Sequence, residues 1–295
     1  MSDIVFLNGD YLPRERALIP IDDRAFYFGD AVYEVLRVVN GRYIEPERHV
    51  ARLARGIREL ELPDPAAFGL EPMAAAETLL DRNDLRQGQA TVYIQVSRGA
   101  VTPRRHAFPP AGTRPTVLVS TAPFTPKTKE CTHGVAAITH PDLRWQRCDL
   151  KTVNLLPNVL ANQQATARGA YEAILLREGV ATEGTHSSLF AVVGDELRTH
   201  PNGPWILPGV TRDVVLDLAR AAGVPVREEA VTARELAVAS ELFLTGTTTD
   251  VMPVTQVDGR PIGSGTPGPI TRQLAGLFAA HMAAEAAGPV TTPRG

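Results

Sequence analysis

The sequence has few of the residues that build disulfide scaffolds or metal clusters. Its 295 residues include two cysteines, Cys131 and Cys148, which are too few for a disulfide framework or a four-cysteine zinc site. The seven histidines are scattered along the chain, and none forms the His-x-x-x-His pair that places two metal ligands on one face of a helix. The sequence therefore predicts a protein without a metal centre.

Long apolar runs and an excess of one charge are also missing. No apolar run reaches the roughly 18 residues of a membrane-spanning helix, and the first residues lack the basic and apolar segments of a secretory signal. The 30 basic and 33 acidic residues nearly balance without forming a basic stripe, so we expect no nucleic-acid partner. An apolar fraction of 44% and a charged fraction of 21% are ordinary for a globular protein. We expect a cytoplasmic enzyme.

Short-range patterns in the first part of the chain predict hairpins and helices. Asn8-Gly9 and Asn40-Gly41 each separate two short apolar runs, which is the signature of a two-residue hairpin turn. A proline opens an amphipathic helix over 46–60, and this helix places His49 and Arg52 on one side. Together with further strands, these elements predict an α+β fold.

Pro123 and Pro126 interrupt the pattern and indicate a change of domain. The second part of the chain again mixes strands and helices, including a short helix that begins with a capping box of Thr232 and Glu235. The predicted parts are a small N-terminal domain (1–121), a linker (122–126), a large domain (127–287) and a flexible tail (288–295).

The stretch around Lys151 has the properties of a reactive position. Residues 145–151 alternate between two faces, which predicts a short strand, and residues 154–169 predict a helix with one apolar face. That face consists of Leu156, Val159, Leu160 and Ala167. A lysine at such a junction, partly desolvated and near Arg144 and Arg147, would be a usable amine nucleophile. Taken alone, the stretch also fits an ordinary surface lysine.

Three stretches could bind a phosphate group. Residues 209–211, at the start of a predicted helix, offer backbone amides and a hydroxyl at the positive end of the helix dipole. Residues 246–249 offer amides and three hydroxyls at the end of a predicted strand, and Arg52 could add a guanidinium. Each stretch, taken singly, also fits a structural role.

Other motifs are weaker. Glu183 lies in 182–184, which reads as a turn and leaves a catalytic carboxylate and a turn carboxylate both open. The basic loop 103–106 would suit a carboxylate ligand, and it also fits an ordinary loop exposed to solvent. The Gly-x-Gly-x-x-Gly spacing at 263–268 follows the return strand of a hairpin, and Pro267 removes an amide, so a dinucleotide site is not expected.

Together these stretches resemble the fold-type IV pyridoxal-phosphate enzymes, and within them the bacterial D-amino-acid aminotransferases. The resemblance extends from about Phe6 to about Phe278. The matching segments are 23–34, 147–151, 154–156, 171–175, 182–184 and 209–212. Several matches in the same order are far more specific than any one of them. The resemblance implies a two-domain fold with a small N-terminal α/β domain and a larger C-terminal pseudo-barrel domain.

The resemblance also implies the roles of individual residues. Lys151 would bind pyridoxal 5'-phosphate as a Schiff base and carry a proton between the substrate and the cofactor. Glu183 would pair with the pyridine nitrogen, so that the ring acts as an electron sink. The expected phosphate ligands are Arg52, Val210, Thr211 and Thr247.

The substrate carboxylate distinguishes the subfamilies. The resemblance implies that Arg104, His106 and Tyr33 bind this carboxylate, with the Arg-x-His loop contributed by the second subunit of a homodimer. The chain departs from the family pattern in a loop before Arg104 that is one residue longer, and in Ser188, which replaces an asparagine. Both departures concern substrate preference rather than reaction class.

We therefore expect a D-amino-acid aminotransferase whose partners are small amino acids and 2-oxo acids. D-alanine or D-glutamate would donate the amino group to 2-oxoglutarate or pyruvate in a ping-pong reaction. Three alternatives remain on the same scaffold: an L-branched-chain aminotransferase, an (R)-amine aminotransferase and an aminodeoxychorismate lyase. A fourth is a protein that binds pyridoxal phosphate, or phosphate alone, without catalysis.

Overall fold

The computed structural model of the protein describes residues 3–288, so all of the predicted flexible tail except Gly288 lies outside the described residues. The chain divides into two compact units. Unit 1 consists of the described parts of Met1–Thr125, Leu150–Asn154 and Ala284–Gly295, and unit 2 consists of Pro126–Asp149 and Leu155–Ala283. No helix within residues 3–288 is long and apolar enough to cross a membrane.

Strands and helices are mixed throughout the chain, which confirms the predicted α+β class. Up to residue 125 the elements are β1 Ile4–Leu7, β2 Asp10–Pro13, α1 Arg24–Phe28, β3 Ala31–Val39, β4 Arg42–Tyr43, α2 Pro46–Glu59, α3 Pro72–Arg82, β5 Gln89–Ser97 and β6 Thr116–Pro123, with short 3-10 helices at Arg14–Arg16 and Pro65–Phe68. The following elements are α4 Thr128–His133, β7 Val135–Pro141, α5 Leu156–Ala167, β8 Glu172–Arg177, β9 Val180–Gly184, β10 Ser188–Val193, β11 Glu196–Thr199 and α6 Val210–Ala221. The last are β12 Val226–Glu228, β13 Val231–Thr232, α7 Ala233–Val238, β14 Glu241–Gly246, β15 Asp250–Val257, β16 Arg260–Pro261 and α8 Pro269–Ala287.

Unit 1 contains a six-stranded antiparallel sheet in the order β2-β1-β6-β5-β3-β4. Its two predicted hairpins are confirmed. Asn8 and Gly9 have φ angles of 55° and 112°, and Asn40 and Gly41 have φ angles of 49° and 78°. Positive φ at both central residues is what this hairpin turn requires, and asparagine and glycine tolerate it best.

The core of unit 1 lies between this sheet and its helices. Leu79 and Leu80 of α3 are fully buried in one cluster with Leu36 of β3 and with Val92 and Ile94 of β5. Because β3 lies between β5 and β4 and packs against this core, it is a rigid support for any side chain that it carries.

Unit 2 contains a ten-stranded mixed sheet, in which nine strands follow the order β12-β11-β10-β14-β15-β7-β8-β9-β13 and β16 pairs with β15. The predicted capping box of α7 is confirmed, because the Thr232 side chain accepts from the Glu235 amide while the Glu235 side chain accepts from the Thr232 amide. The prediction of a turn at 182–184 was wrong. These residues form the end of β9, where Gly184 pairs with Ile174 of β8.

The strand predicted over 145–151 was also wrong, because this stretch contains turns and no strand. Within this stretch the Arg147 Nε lies 3.0 Å from the Asp149 Oδ1. The loop expected at 22–30 contains the short helix α1, and the Asp23 carboxylate accepts from the amide of Ala25 in its first turn.

The helix predicted over 154–169 forms at Leu156–Ala167, but its buried face was predicted wrongly. Leu156, Val159 and Leu160 are 69%, 57% and 56% exposed. Ala161 and Ala165 are the buried residues of α5, because small side chains allow the helix to lie close to β7 and β8.

Removing the buried side chain of Leu79 tests the core of unit 1. Leu79→Ala should lower the free energy of unfolding by about 2–5 kcal/mol, because it leaves a cavity that the neighbours fill only in part. Leu18→Ala makes the same change at a side chain that is 80% exposed and should change stability by less than about 0.5 kcal/mol. Urea denaturation measures both, and equal losses would contradict this description of the core.

Candidate active site

Lys151 is held by backbone pairing with the start of β3. Its carbonyl accepts from the amide of Tyr33 at 2.9 Å, and the amide of Val153 donates to the carbonyl of Ala31 at 3.2 Å. Thr152 forms an isolated antiparallel bridge with Val32. The backbone of Lys151 is therefore fixed to strand β3 of unit 1, although the lysine belongs to no strand itself.

The side chain of Lys151 lies against an aromatic surface. Its Nζ is 4.3 Å from the centroid of the Tyr33 ring. Tyr33 in turn stacks on Tyr93, with centroids 5.6 Å apart and planes at 26°. Lys151 is half-buried, and an amine over a fixed ring is restricted in position while it keeps access to a ligand.

Beside Tyr33, the carboxylate of Glu34 is fully buried and bound by two residues of α2. The Nε and Nη2 of Arg52 donate to it at 2.9 and 2.7 Å, and the Nδ1 of His49 lies 3.0 Å from it. This contact confirms that α2 presents both residues on one side. The guanidinium of Arg52, predicted to bind phosphate, is thereby fixed in orientation by Glu34.

The electrostatics of this cluster favour an ionised Glu34. Burial alone would raise the pKa of its carboxyl, but Arg52 and His49 hold that pKa well below its usual range. Burial is also the main cause of a lowered pKa for His49, and the nearby Lys151 amine is among the smaller causes that act in the same direction. The structure thus brings Lys151, Tyr33 and Arg52 together around β3.

The other two predicted carboxylate ligands, Arg104 and His106, belong to the loop between β5 and β6 and pack against Phe28 of α1. The guanidinium carbon of Arg104 is 4.4 Å from the centroid of the Phe28 ring, and the imidazole of His106 meets the same ring edge-on at 5.4 Å. The predicted carboxylate site therefore falls into two groups within unit 1, with Tyr33 at Lys151 and with Arg104 and His106 on Phe28.

In unit 2, Glu183 is buried at the end of β9. Its carboxylate accepts from the amide of Leu207 at 3.1 Å and contacts the guanidinium of Arg144. Two nitrogens of Arg144 donate to the two carboxylate oxygens of Asp142, each at 2.9 Å. Arg177 binds the same Asp142 at 3.1 Å. The sequence predicted only that the charge of Arg144 would lie near Lys151. It did not predict that Arg144 binds Glu183.

The two carboxyl groups that bind Arg144 differ in proton affinity. Burial raises the pKa of Glu183 to about 7 and outweighs the opposing effects of Arg144 and of the Leu207 amide. Burial acts on Asp142 in the same direction, but Arg144 and Arg177 hold its pKa well below its usual range. Asp142 is therefore the permanent counter-charge, and Glu183 can change its protonation near neutral pH.

A second buried carboxylate, Glu172, organises the loop after Glu183. It accepts from the amide of His186 at 2.7 Å and from the hydroxyls of Thr185 and Ser187 at 3.1 and 2.8 Å. This loop leads to Ser188, the position where the family pattern has asparagine. The sequence pattern did not predict that Glu172, 13 residues before Thr185, binds the loop.

Three of the predicted phosphate ligands, Val210, Thr211 and Thr247, lie in unit 2, whereas the fourth, Arg52, lies in unit 1. Helix α6 begins at Val210 with Gly209 as its cap and without a side-chain hydrogen bond to its first amides. Thr247 lies in the turn between β14 and β15. A Cβ at position 209 would lie 2.6 Å from the Ser188 hydroxyl, so a larger residue there would have to displace Ser188.

The polar atoms near these turns fit a bound oxyanion. The hydroxyls of Thr245 and Thr249 are buried, and neither has a hydrogen-bond partner within the described part of the chain. Such donors, with the amides at the start of α6, form the kind of cradle that binds the phosphate of a cofactor.

Comparison with known proteins identifies the family. The amino-transferase class IV model matches residues 31–257, which include both Lys151 and Glu183. The chain belongs to this family.

Two relatives of this class IV aminotransferase are named D-alanine aminotransferases. The D-alanine aminotransferase of Bacillus licheniformis is 42% identical over 270 residues, which cover 92% of this chain and 94% of the relative. The D-alanine aminotransferase of Listeria monocytogenes is 38% identical over 275 residues, which cover 93% and 94%.

Solved structures have the same fold. The branched-chain amino acid aminotransferase of Escherichia coli superposes with a TM-score of 0.83 at 27% identity and covers 95% of this chain and 94% of its own. A hypothetical aminotransferase from Mycobacterium tuberculosis, solved in a PLP-bound form, gives a TM-score of 0.79 at 25% identity and covers 94% and 98%. These matches confirm the predicted family and its fold-type IV architecture, and the roles of single residues remain predictions.

The raised pKa of Glu183 should make stability depend on pH. Its pKa of about 7 in the folded protein exceeds the ordinary value of 4.5, so the folded protein holds a proton that the unfolded chain releases. This contribution is complete below pH 4.5 and is lost as the pH rises through 7. This component of the free energy of unfolding of the cofactor-free protein should fall over this range by an amount on the order of a few kcal/mol.

The substitution Glu183→Gln should remove this component, since an amide does not titrate. Glu178→Gln, at an exposed turn position, is the matched control and should keep it. Denaturation in urea at several pH values measures how the free energy of unfolding changes with pH. The same pH dependence in the wild type and in Glu183→Gln would contradict the raised pKa of Glu183.

Proposed function

We propose that this class IV aminotransferase transfers amino groups between D-amino acids and 2-oxo acids with pyridoxal 5'-phosphate as cofactor. D-alanine or D-glutamate would be the donor, and pyruvate or 2-oxoglutarate the acceptor. The observation that carries the proposal is the fixed amine of Lys151, 4.3 Å above the Tyr33 ring, in a chain similar to D-alanine aminotransferases over 92% of its length. The cytoplasmic location expected from the sequence remains a prediction.

Bound pyridoxal phosphate supplies an electron sink for the charge that develops on the substrate α-carbon. Lys151 would hold the cofactor through its Nζ and move the α-proton at that same atom. The backbone pairing of Lys151 with β3 limits the positions that this nitrogen can reach. Glu183 would hold a proton between its carboxylate and the ring nitrogen, and Arg144 would fix that carboxylate in place.

The phosphate would be bound by groups that are already oriented. Val210 and Thr247 would donate backbone amides and Thr211 its hydroxyl, while the guanidinium of Arg52 would add positive charge. Since Glu34 holds this guanidinium through two hydrogen bonds, binding would not need to order it.

Arg104, His106 and Tyr33 would bind the substrate carboxylate and so decide which hydrogen of the α-carbon faces Lys151. We propose a homodimer in which the loop with Arg104 and His106 serves the site of the second copy. The exposed side chains of Leu156, Val159 and Leu160 on α5 support such an assembly, because monomers seldom leave large apolar side chains grouped on one helix face.

An L-branched-chain aminotransferase is the second candidate, since the structure of the Escherichia coli enzyme has the same fold. Its identity of 27% is well below the 42% of the Bacillus licheniformis D-alanine aminotransferase. The Arg-x-His pair at 104–106 also favours the D-amino-acid reaction.

Donor stereochemistry separates the two candidates. The cofactor-loaded protein is mixed with D-alanine, L-leucine or (R)-phenylethylamine without an acceptor, and the visible absorption of the cofactor is followed. We expect D-alanine alone to remove this absorption, with pyruvate formed in an equal amount. Loss with L-leucine or the amine and none with D-alanine would contradict the proposal.

The role of Lys151 has a matched control elsewhere in the chain. Lys151→Ala should lower the rate of transamination by roughly 10²–10⁴-fold or more, because the group that moves the proton is removed. Lys127 also lies on a tyrosine, with its Nζ 4.5 Å from the Tyr171 ring, and Lys127→Ala should keep the activity. Similar rates for the wild type and Lys151→Ala would contradict the role.

A further inference from the structure

The loop between β5 and β6 carries Arg104 and His106 but contains neither a helix nor a strand. The two ends of the loop lie against each other. The carbonyl oxygen of Arg114 is so close to Gly99 that a Cβ at position 99 would lie 2.1 Å from it. Gly99 also has a φ of 91°, which only glycine adopts without strain. The base of the loop is therefore fixed by backbone contact, and the middle of the loop needs another support.

Arg24 supplies that support through the backbone of the loop. This arginine of α1 is only 6% exposed. Its Nη1 donates to the carbonyls of Arg105 and Ala107 at 2.7 and 3.3 Å, and its Nη2 donates to the carbonyl of His106 at 3.2 Å. One guanidinium thus binds three consecutive carbonyls, which a loop without secondary structure cannot satisfy internally.

Phe28, one turn further along α1, supports the side chains of the same loop. Its ring is 4.7 Å from the guanidinium carbon of Arg24 and 4.4 Å from that of Arg104. His106 contacts the ring edge-on at 5.4 Å. The helix therefore holds the loop through its backbone with Arg24 and through its side chains with Phe28.

A second arginine connects this arrangement to the core of unit 1. The Nε atoms of Arg24 and Arg98 both donate to the Asp30 carboxylate at 2.8 Å. Arg98 also donates to the carbonyls of Leu60 and Glu61, which follow α2, at 2.6 and 2.7 Å. Asp30 therefore fixes Arg24 in orientation and compensates part of its charge.

We propose that Arg24 is a positioning residue that sets the geometry with which Arg104 and His106 bind the substrate carboxylate. The inference rests on the proposed function, because it takes these two residues as the carboxylate ligands. Without Arg24, three carbonyls lose their donor and the loop gains conformations. Arg104 and His106 then spend less time in the binding geometry, and a displacement of about 1 Å is enough to weaken the reaction by up to 10²-fold.

Two measurements on Arg24→Gln test the proposal. Trypsin cleaves after Arg104 and Arg105, so the rate of cleavage there, mapped by mass spectrometry, reports the freedom of the loop without any use of activity. We expect this rate to rise roughly tenfold or more, since cleavage follows local opening. KM for D-alanine should rise roughly 10–100-fold, with a smaller change in kcat.

Arg82→Gln is the matched control, because it removes an arginine of α3 whose guanidinium carbon lies 4.3 Å from the centroid of the Tyr11 ring. It should leave cleavage and KM as in the wild type. Arg24→Lys keeps the charge beside Asp30 but lacks the planar fork, so it should show an intermediate KM and cleavage rate. This variant also replaces Arg24→Gln if that variant does not fold.

Two outcomes would overturn the proposal: unchanged cleavage and KM in Arg24→Gln, or faster cleavage with an unchanged KM. Failure of the proposed function looks different, because the wild type itself would then show no reaction with D-alanine. The cleavage measurement would still decide whether Arg24 holds the loop.

Discussion

The position of Lys151 depends on two backbone hydrogen bonds that join residues 151–153 to the start of β3. Strand β3 is paired with β5 over nine residues and packs against the core of unit 1, so little motion is left for a segment attached to it. Tyr33, Glu34 and Arg52 are ordered by the same strand, either directly or through one ion pair. A fixed backbone with a half-buried amine is what a lysine needs in order to act on one atom of a ligand.

Two buried glutamates show how the surroundings of a carboxyl decide its charge. Glu34 is bound by Arg52 and His49, and its pKa lies well below the usual range. Glu183 contacts Arg144, yet burial raises its pKa to about 7. Asp142, which binds the same Arg144, adds a small further rise to the pKa of Glu183, whereas Arg52 and His49 both lower the pKa of Glu34. Glu34 therefore keeps its charge, whereas Glu183 can change its protonation near neutral pH, as its proposed role beside a ring nitrogen would require.

The sequence predicted features whose causes lie close together in the chain. The hairpins at Asn8-Gly9 and Asn40-Gly41 follow from residues that tolerate a positive φ, and the capping box of α7 follows from a side chain and an amide three positions apart. The shared side of His49 and Arg52 follows from the helical period. The family, and with it most of the candidate site, followed from several such local motifs in the right order.

Features that depend on distant partners could not be predicted in the same way. The strand expected over 145–151 does not form, and backbone pairing with β3 begins only at Lys151 and continues through Thr152. The apolar side of α5 was expected to be buried, but two alanines make the contact with the sheet. Arg24 donates to the carbonyl of Arg105, which lies 81 residues further along the chain. No local sequence pattern predicts a contact over that separation.

The measurement that tests this account most directly is the identity of the lysine that binds the cofactor. The chain has three lysines, Lys127, Lys129 and Lys151, so reduction of the cofactor-loaded protein with borohydride, followed by peptide mass spectrometry, has three possible sites to distinguish. The account predicts that the pyridoxyl group is found on Lys151. A pyridoxyl group on Lys127 or Lys129, or on none of the three, would contradict it.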